Sequence, residues 1–158
     1  MIVGLGLSLM VAVATVSSVT AAPLVLSIAA QPPMVKSGRD IRVDVDLVNR
    51  SDQPIPLSVT TGSGSAEFDY EINVTRQDGR PVERTDYGLS LAGAGTLVLG
   101  VGRRSLALRP GRSFQDYFTL NKIFDVGRPG TYFVQIEPGL IAGKTIATRS
   151  NKIKLVVY

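Results

Sequence analysis

The chain has 158 residues and a net charge of +4, and it contains no cysteine, histidine or tryptophan. This length suits one domain with a substantial hydrophobic core. The missing residue types exclude disulfides, Ser-His-Asp triads, Cys-His dyads and zinc sites built on imidazole or thiolate. We therefore expect a protein that is not an enzyme, with no catalytic residues, no metal site and no cofactor.

The first 21 residues form an apolar segment that ends in small side chains. The run 2–16 has the length of a signal-peptide core, and residues 19–21 offer a cleavage site. No Lys or Arg precedes the run, so a retained anchor is the alternative, although the apolar part is shorter than the ~20 residues of a membrane span. We predict a signal peptide over 1–21 and one domain over 22–158, with no stable membrane span after cleavage. A cysteine-free exported domain favours a secreted or periplasmic bacterial protein.

The rest of the sequence alternates between short apolar runs and turn residues, which is typical of β-structure. The alternation is clearest in residues 41–49 and 68–75. Strands are predicted at residues 24–30, 41–49, 55–60, 68–75, 81–85, 105–108, 114–120 and 131–136, and within 145–157. No register is assigned to residues 87–104, and no helix is expected apart from a turn at 121–124. The predicted fold is all-β, an immunoglobulin-like antiparallel two-sheet sandwich of about seven to nine strands.

Acidic residues follow the outward positions of two of these strands. Asp44 and Asp46 lie on one face of their strand, and Asp69 and Glu71 repeat the arrangement. Such pairs could hold calcium or act as acid and base, but polar outer faces with arginine partners are the favoured interpretation. Asp116 is different, because the alternation places it on the same face of its predicted strand as apolar neighbours. Either a bulge turns it outward or it pairs with an arginine.

The stretch 124–136 contains a turn followed by Thr-Tyr-Phe-Val-Gln-Ile. In immunoglobulin-like sandwiches, a tyrosine near the start of the penultimate strand can bury its ring, and its hydroxyl then bonds to upstream main chain. Tyr132 is the candidate for this tyrosine corner, and the loop 125–129 is the segment that it would hold.

The second half of the chain also resembles a recurrent bacterial pattern. It reads Leu-Ala-Leu-Arg-Pro-Gly-Arg-Ser from residue 106, Pro-Gly-Thr-Tyr-Phe-Val from 129 and Ser-Asn-Lys-Ile-Lys-Leu-Val-Val from 150. This pattern is similar to secreted immunoglobulin-like domains and to the β-sandwich domain that precedes the catalytic domain of deuterolysin-type metallopeptidases. It resembles more faintly the β-sandwich proteinase inhibitors of bacilli. The resemblance implies a β-sandwich, and the zinc-binding histidines of deuterolysins have no counterpart here.

Sandwiches usually bind partners through end loops or strand edges. The candidate loops are residues 61–66, 87–104 and 121–128. A positive rim on these loops supplies the candidate partner-binding residues, which are Arg103, Arg104, Lys122 and Arg128. No aromatic residue lies among the clustered arginines, so nucleic acid is not an expected partner.

We therefore expect an exported, non-catalytic binding or structural module that acts on a protein or cell-envelope component. A secreted proteinase inhibitor is one alternative. An accessory carbohydrate-binding module is another, although the absence of tryptophan argues against it.

Overall fold

The computed structural model describes residues 23–93, 102–138 and 149–158 of the chain. The strands in these ranges are β1 (Leu24–Ala30), β2 (Met34–Val35), β3 (Arg42–Asn49), β4 (Ile55–Thr60), β5 (Tyr70–Arg76), β6 (Arg103–Leu108), β7 (Ser113–Thr119), β8 (Gly130–Pro138) and β9 (Ile153–Val157). A 3₁₀ turn spans Ala66–Phe68, and the two helices are α1 (Asp86–Gly93) and α2 (Leu120–Ile123). Neither helix is long and apolar enough to cross a membrane.

Two sheets enclose one hydrophobic core. The first has the strand order β1-β3-β7 and the second the order β2-β9-β8-β5, and all pairs are antiparallel except β2 with β9. Alternate side chains of both sheets enter the same cluster, among them Val43 and Val45 from β3 and Val134 and Ile136 from β8. Full burial of each such side chain stabilises the fold by about 1.5–3 kcal/mol. The predicted two-sheet sandwich is confirmed.

A third strand pair, β4 with β6, continues the β3–β7 pair across a bend. Val48 pairs with Ser113 on one side of the bend, and Ile55 pairs with Leu108 on the other. The chain turns between these two points in residues 49–54 and again in residues 109–112. The result is one long bent ribbon. The β3–β7 pair forms one half of this ribbon, and the β4–β6 pair forms its other, outer half.

Asn49 holds this bend from inside the protein, where its side chain is fully buried. Its amide nitrogen donates to the carbonyl oxygens of Gln53 and Leu108, each over 2.8 Å. Its amide oxygen accepts from the N–H and the hydroxyl of Ser51, over 2.9 and 2.7 Å. Each buried hydrogen bond of this kind is worth about 0.5–1.5 kcal/mol, so the Asn49 side chain stabilises the bend.

Several predicted strand boundaries are correct and others are wrong. Residues 24–30 and 55–60 match β1 and β4. The strand predicted at 68–75 begins two residues later, because Phe68 closes the 3₁₀ turn. Residues 81–85 form no strand and make only two isolated bridges, at Pro81 and Arg84. The two-residue strand β2 was not predicted, since its pairing with β9 depends on a partner distant in sequence.

The helix α1 contradicts the expectation that no helix occurs before residue 121. The Thr85 hydroxyl accepts the N–H of Gly88 over 3.0 Å and so caps the start of this helix. Gly88 also lets α1 approach α2, because a Cβ at this position would lie 2.0 Å from the carbonyl oxygen of Ile123. A weakly apolar, glycine-containing helix of this kind shows no clear helical period in the sequence.

Some predictions fall outside the described residues. These are the signal peptide over 1–21, residues 94–101 of the segment without assigned register, and residues 145–148 of the last predicted strand.

Candidate interaction cleft beside strand β6

A cleft of about 410 Å³ lies beside β6, at the outer half of the bent ribbon. One β6 residue, three β7 residues and the loop that follows β4 form its walls. Its lining residues are Thr61, Gly62, Ser63, Arg104, Phe114, Gln115 and Asp116. We call this site the β6–β7 cleft. It contains part of the candidate loop 61–66 and one of the four candidate partner-binding residues, Arg104.

The loop that forms one wall is held at both of its ends. At its start, the N–H and the hydroxyl of Thr61 both donate to the carbonyl oxygen of Gly102, over 2.8 and 2.9 Å. At its end, Gly64 has a φ of +73°, and a Cβ on it would lie 2.7 Å from the ring of Tyr117. Only glycine combines this left-handed conformation with so close a contact. The loop is therefore built in a defined shape against β7.

Asp116 is the residue that binds this loop to the sandwich. Its Oδ1 accepts the N–H groups of Gly64 and Tyr117, each over 2.8 Å, and its Oδ2 accepts the hydroxyl of Ser65 over 3.1 Å. The side chain is 9% exposed. The sequence predicted either that a bulge turns Asp116 outward or that an arginine pairs with it. Both predictions are wrong. Because β7 is the edge of its sheet, this side chain meets the main chain of a neighbouring loop instead.

Asp69 lies behind the same loop and is only 1% exposed. Its carboxylate accepts the N–H and the hydroxyl of Thr60, each over 2.9 Å, and forms an ion pair of 3.2 Å with Arg103. The prediction that Asp69 faces solvent is wrong, because this residue precedes β5 and follows the 3₁₀ turn, where the alternation of the strand does not apply.

Arg103 and Arg104 are adjacent in sequence but have different surroundings. Besides Asp69, the Arg103 guanidinium donates to the carbonyl oxygen and the hydroxyl of Ser58, over 2.6 and 3.2 Å. The Arg103 guanidinium is therefore engaged by groups of the sandwich itself. Arg104 is exposed and lines the β6–β7 cleft. Of the pair, Arg104 is therefore the residue that lines the cleft.

Lys122 and Arg128 are exposed and do not line the β6–β7 cleft. Lys122 belongs to α2, and its carbonyl oxygen accepts the Thr85 hydroxyl. Arg128 precedes β8, next to the end of the β5–β8 ladder where Tyr132 pairs with Arg76. Arg103 contacts Asp69 at the opposite end of that ladder. Seven residue pairs at ~3.3 Å per residue place these ends about 20 Å apart. The structure does not bring the four candidates together into one rim.

Tyr132 has the geometry of a tyrosine corner. Its side chain is 1% exposed, and its hydroxyl donates to the carbonyl oxygen of Arg128 over 2.8 Å. This bond fixes the loop before β8 to the strand that follows it, within the segment that the sequence pattern indicated.

Asp44, an outward acid of β3, is paired with an arginine. Asp44 forms an ion pair of 2.6 Å with Arg42, whose guanidinium also stacks 3.8 Å above the centre of the Tyr117 ring. Across residues 23–93, 102–138 and 149–158, no three acidic side chains come close enough together to bind a cation.

Glu67 is a titratable residue that the sequence analysis did not single out. It lines a second pocket of about 290 Å³ with Arg84 and Leu91, and its Oε1 accepts the Tyr87 hydroxyl over 3.0 Å. Burial raises the pKa of Glu67 above 4.5. Burial and the adjacent carboxylate raise the pKa of Tyr87 to about 12, so the tyrosine is a donor at neutral pH. Only the fold reveals this pair, since 20 residues separate its members.

Comparison with known proteins adds distant structural similarities. No family model matches the chain, and no curated protein matches it. The CARDB domain of the PF1109 protein from Pyrococcus furiosus is similar over 85% of this chain and 91% of that domain, with 10% identity and a TM-score of 0.46. The C-terminal domain of wzt is similar over 84% of this chain and 70% of that one, with 17% identity and a TM-score of 0.44. A β-glucosidase from Listeria innocua is similar over 85% of this chain and 16% of the enzyme, with 15% identity and a TM-score of 0.42. At these values the similarities carry no information about activity or binding.

Proposed function

We propose that this protein is a non-catalytic, exported β-sandwich module that binds a protein or cell-envelope component through the β6–β7 cleft. The observation that carries the proposal is the anchoring of the cleft loop by Asp116, which accepts three hydrogen bonds from Gly64, Ser65 and Tyr117. A loop held in one shape loses little conformational entropy on binding, which favours recognition. The predicted signal peptide supports export, and a secreted or periplasmic location is part of the proposal.

The chemistry of the cleft supports binding more than catalysis. Asp116 is the carboxylate in its lining, and its oxygens are already engaged by protein donors. The chain has no histidine or cysteine to act as base or nucleophile. Arg104, exposed at the cleft, supplies a positive charge that attracts an anionic surface. The resemblance to the domain that precedes the catalytic part of deuterolysin-type metallopeptidases is in keeping with such an accessory role.

Affinity capture with matched variants tests the proposal. The protein is immobilised through a tag after Tyr158, whose main chain bonds to Val35 and Ser37 in another part of the sandwich. It is exposed to native envelope extract and culture supernatant. Wild type is compared with Arg104→Glu and with the control Arg80→Glu, which reverses an exposed charge in the turn after β5. Bound proteins and polysaccharides are identified after washes at low and high salt.

We expect a salt-resistant partner that wild type and Arg80→Glu retain and that Arg104→Glu loses. A protease among such partners supports the inhibitor alternative, and an envelope polysaccharide supports the carbohydrate alternative. Recovery of the same material by all three proteins, or of salt-labile anionic material only, contradicts binding through the cleft.

A further inference from the structure

Strand β6 has one paired edge and one open edge among the described residues. Its paired edge contacts β4, from Arg103 opposite Thr60 to Leu108 opposite Ile55. Its first five residues are exposed or half-buried. An open edge of this kind presents main-chain donors and acceptors that another strand can use.

The hydrogen-bond register shows which main-chain groups face outward. The N–H of Thr61 donates to the carbonyl oxygen of Gly102, so the main-chain N–H and C=O of Gly102 face β4. In an antiparallel pair this orientation alternates along the strand. The main-chain groups of every second residue after Gly102 therefore also face β4. The main-chain groups of Arg103, Ser105 and Ala107 therefore face away from β4. The other strand shows the same alternation, because the N–H of Thr60 points away from β6 and donates to Asp69.

The charge around this edge is positive. Residues 102–115 contain four arginines and no acidic residue, and the next acidic residue in the sequence is Asp116. Asp116 is engaged by three protein donors, and Asp69 is neutralised by Arg103. Arg104 is left exposed beside the β6–β7 cleft, which gives room for side chains next to the edge.

We propose that the partner segment is an extended, acidic stretch of polypeptide that adds to the outer edge of β6 as a new strand. Its main chain pairs with Ser105 and Ala107, and an acidic side chain on it pairs with Arg104. Strand addition of this kind takes affinity from main-chain bonds and selectivity from alternate side chains. This inference rests on the proposed function, and it adds the class of partner and the mode of binding.

A synthetic probe tests the inference on the purified full chain. The probe is the fluorescein-labelled peptide Thr-Glu-Val-Glu-Val-Glu-Thr, and its control carries Lys in place of each Glu. Binding is followed by fluorescence anisotropy at low and physiological salt. Hydrogen exchange at the amides of Ser105 and Ala107 shows whether the main chain is engaged.

Two variants separate the main-chain and charge contributions. Ala107→Pro removes an outward N–H that β4 does not use, at an edge where proline is tolerated. Ala107→Val keeps that N–H and is its matched control. Loss of one main-chain bond is expected to weaken binding of the acidic peptide about tenfold, while Ala107→Val leaves it unchanged. Arg104→Glu weakens it by a similar factor and removes the preference over the lysine peptide.

The inference is supported if the acidic peptide binds wild type, slows exchange at Ser105 and Ala107, and is weakened by Ala107→Pro. It is overturned if the peptide does not bind wild type, or if Ala107→Pro and Ala107→Val bind it equally. These failures differ from a failure of the proposed function. If the affinity capture still yields a partner that depends on Arg104, the cleft binds its partner by another mode.

Discussion

The main-chain N–H of Gly64 donates a hydrogen bond to Oδ1 of Asp116 over 2.8 Å, across 52 residues of sequence. The bond joins a loop after β4 to the middle of an edge strand. It is the central contact of the β6–β7 cleft, because the same carboxylate also accepts from Ser65 and Tyr117. The shape of the cleft therefore depends on one acidic side chain.

Replacement of that side chain should measure this dependence. We expect Asp116→Ala to lower the free energy of unfolding by about 2–3 kcal/mol, because it leaves two N–H groups and the Ser65 hydroxyl without their charged acceptor. Asp116→Asn keeps one acceptor oxygen and should lose less. Urea unfolding of the three proteins gives the comparison. Equal stability of Asp116→Ala and wild type would show that the loop is held by other contacts.

Gly64 and Gly111 allow the cost of a side-chain clash to be separated from the cost of a backbone conformation. Their φ values are +73° and +71°, but only at Gly64 does a Cβ meet another residue, the Tyr117 ring. Gly111→Ala should cost about 1–2 kcal/mol for the left-handed conformation alone. Gly64→Ala should cost about 1–3 kcal/mol more, because the ring must move. Thermal or urea unfolding measures both, and equal losses would disprove the close packing of Tyr117 on the loop.

The hydroxyl of Tyr132 offers a conservative test of the tyrosine corner. Tyr132→Phe removes the bond to the carbonyl oxygen of Arg128 and keeps the buried ring, so we expect a loss of about 0.5–1.5 kcal/mol. Tyr158→Phe is the control, since Tyr158 is 62% exposed. Denaturant unfolding of both variants measures the difference. A loss as small as that of the control would indicate that the hydroxyl contributes nothing to stability.

Glu67 predicts a pH dependence of stability. Burial raises its folded-state pKa above 4.5, so the folded state favours the protonated form. The stability that protonation contributes is therefore fully present below pH 4.5 and is lost as the pH rises through the raised pKa. Glu67→Gln is neutral at every pH and keeps an oxygen that can accept the Tyr87 hydroxyl. We expect it to be more stable than wild type at pH 7 and to lose this advantage below pH 4.5.

Urea unfolding at pH 3.5 and pH 7 checks this expectation, with Glu83→Gln as a control at an exposed acid. A Glu67→Gln variant that is less stable than wild type at pH 7 would contradict the sign of the shift. It would show that the charged hydrogen bond with Tyr87 outweighs the cost of burial.

The sequence predicts those parts of the fold that depend on local alternation. In β3, Val43, Val45 and Leu47 are buried as expected, and β1 and β4 have the predicted bounds. The remainder depends on contacts between distant residues. The role of Asp116 requires a loop 52 residues away, and β2 exists only by pairing with β9. The same limit applies to the site, because no local pattern shows that Arg103 is engaged by Asp69 while Arg104 stays exposed.

The buried amide of Asn49 bears on how the protein can be produced. Asn49-Arg50-Ser51 and Asn73-Val74-Thr75 both match the acceptor pattern for N-linked glycosylation in a eukaryotic secretory pathway. A glycan on the Asn49 nitrogen would replace one of the two hydrogens that bond to Gln53 and Leu108, and it would need space inside the bend. Asn73 is exposed on β5 and has no such conflict. A glycan at Asn49 is therefore incompatible with the folded bend, whereas one at Asn73 would extend into solvent.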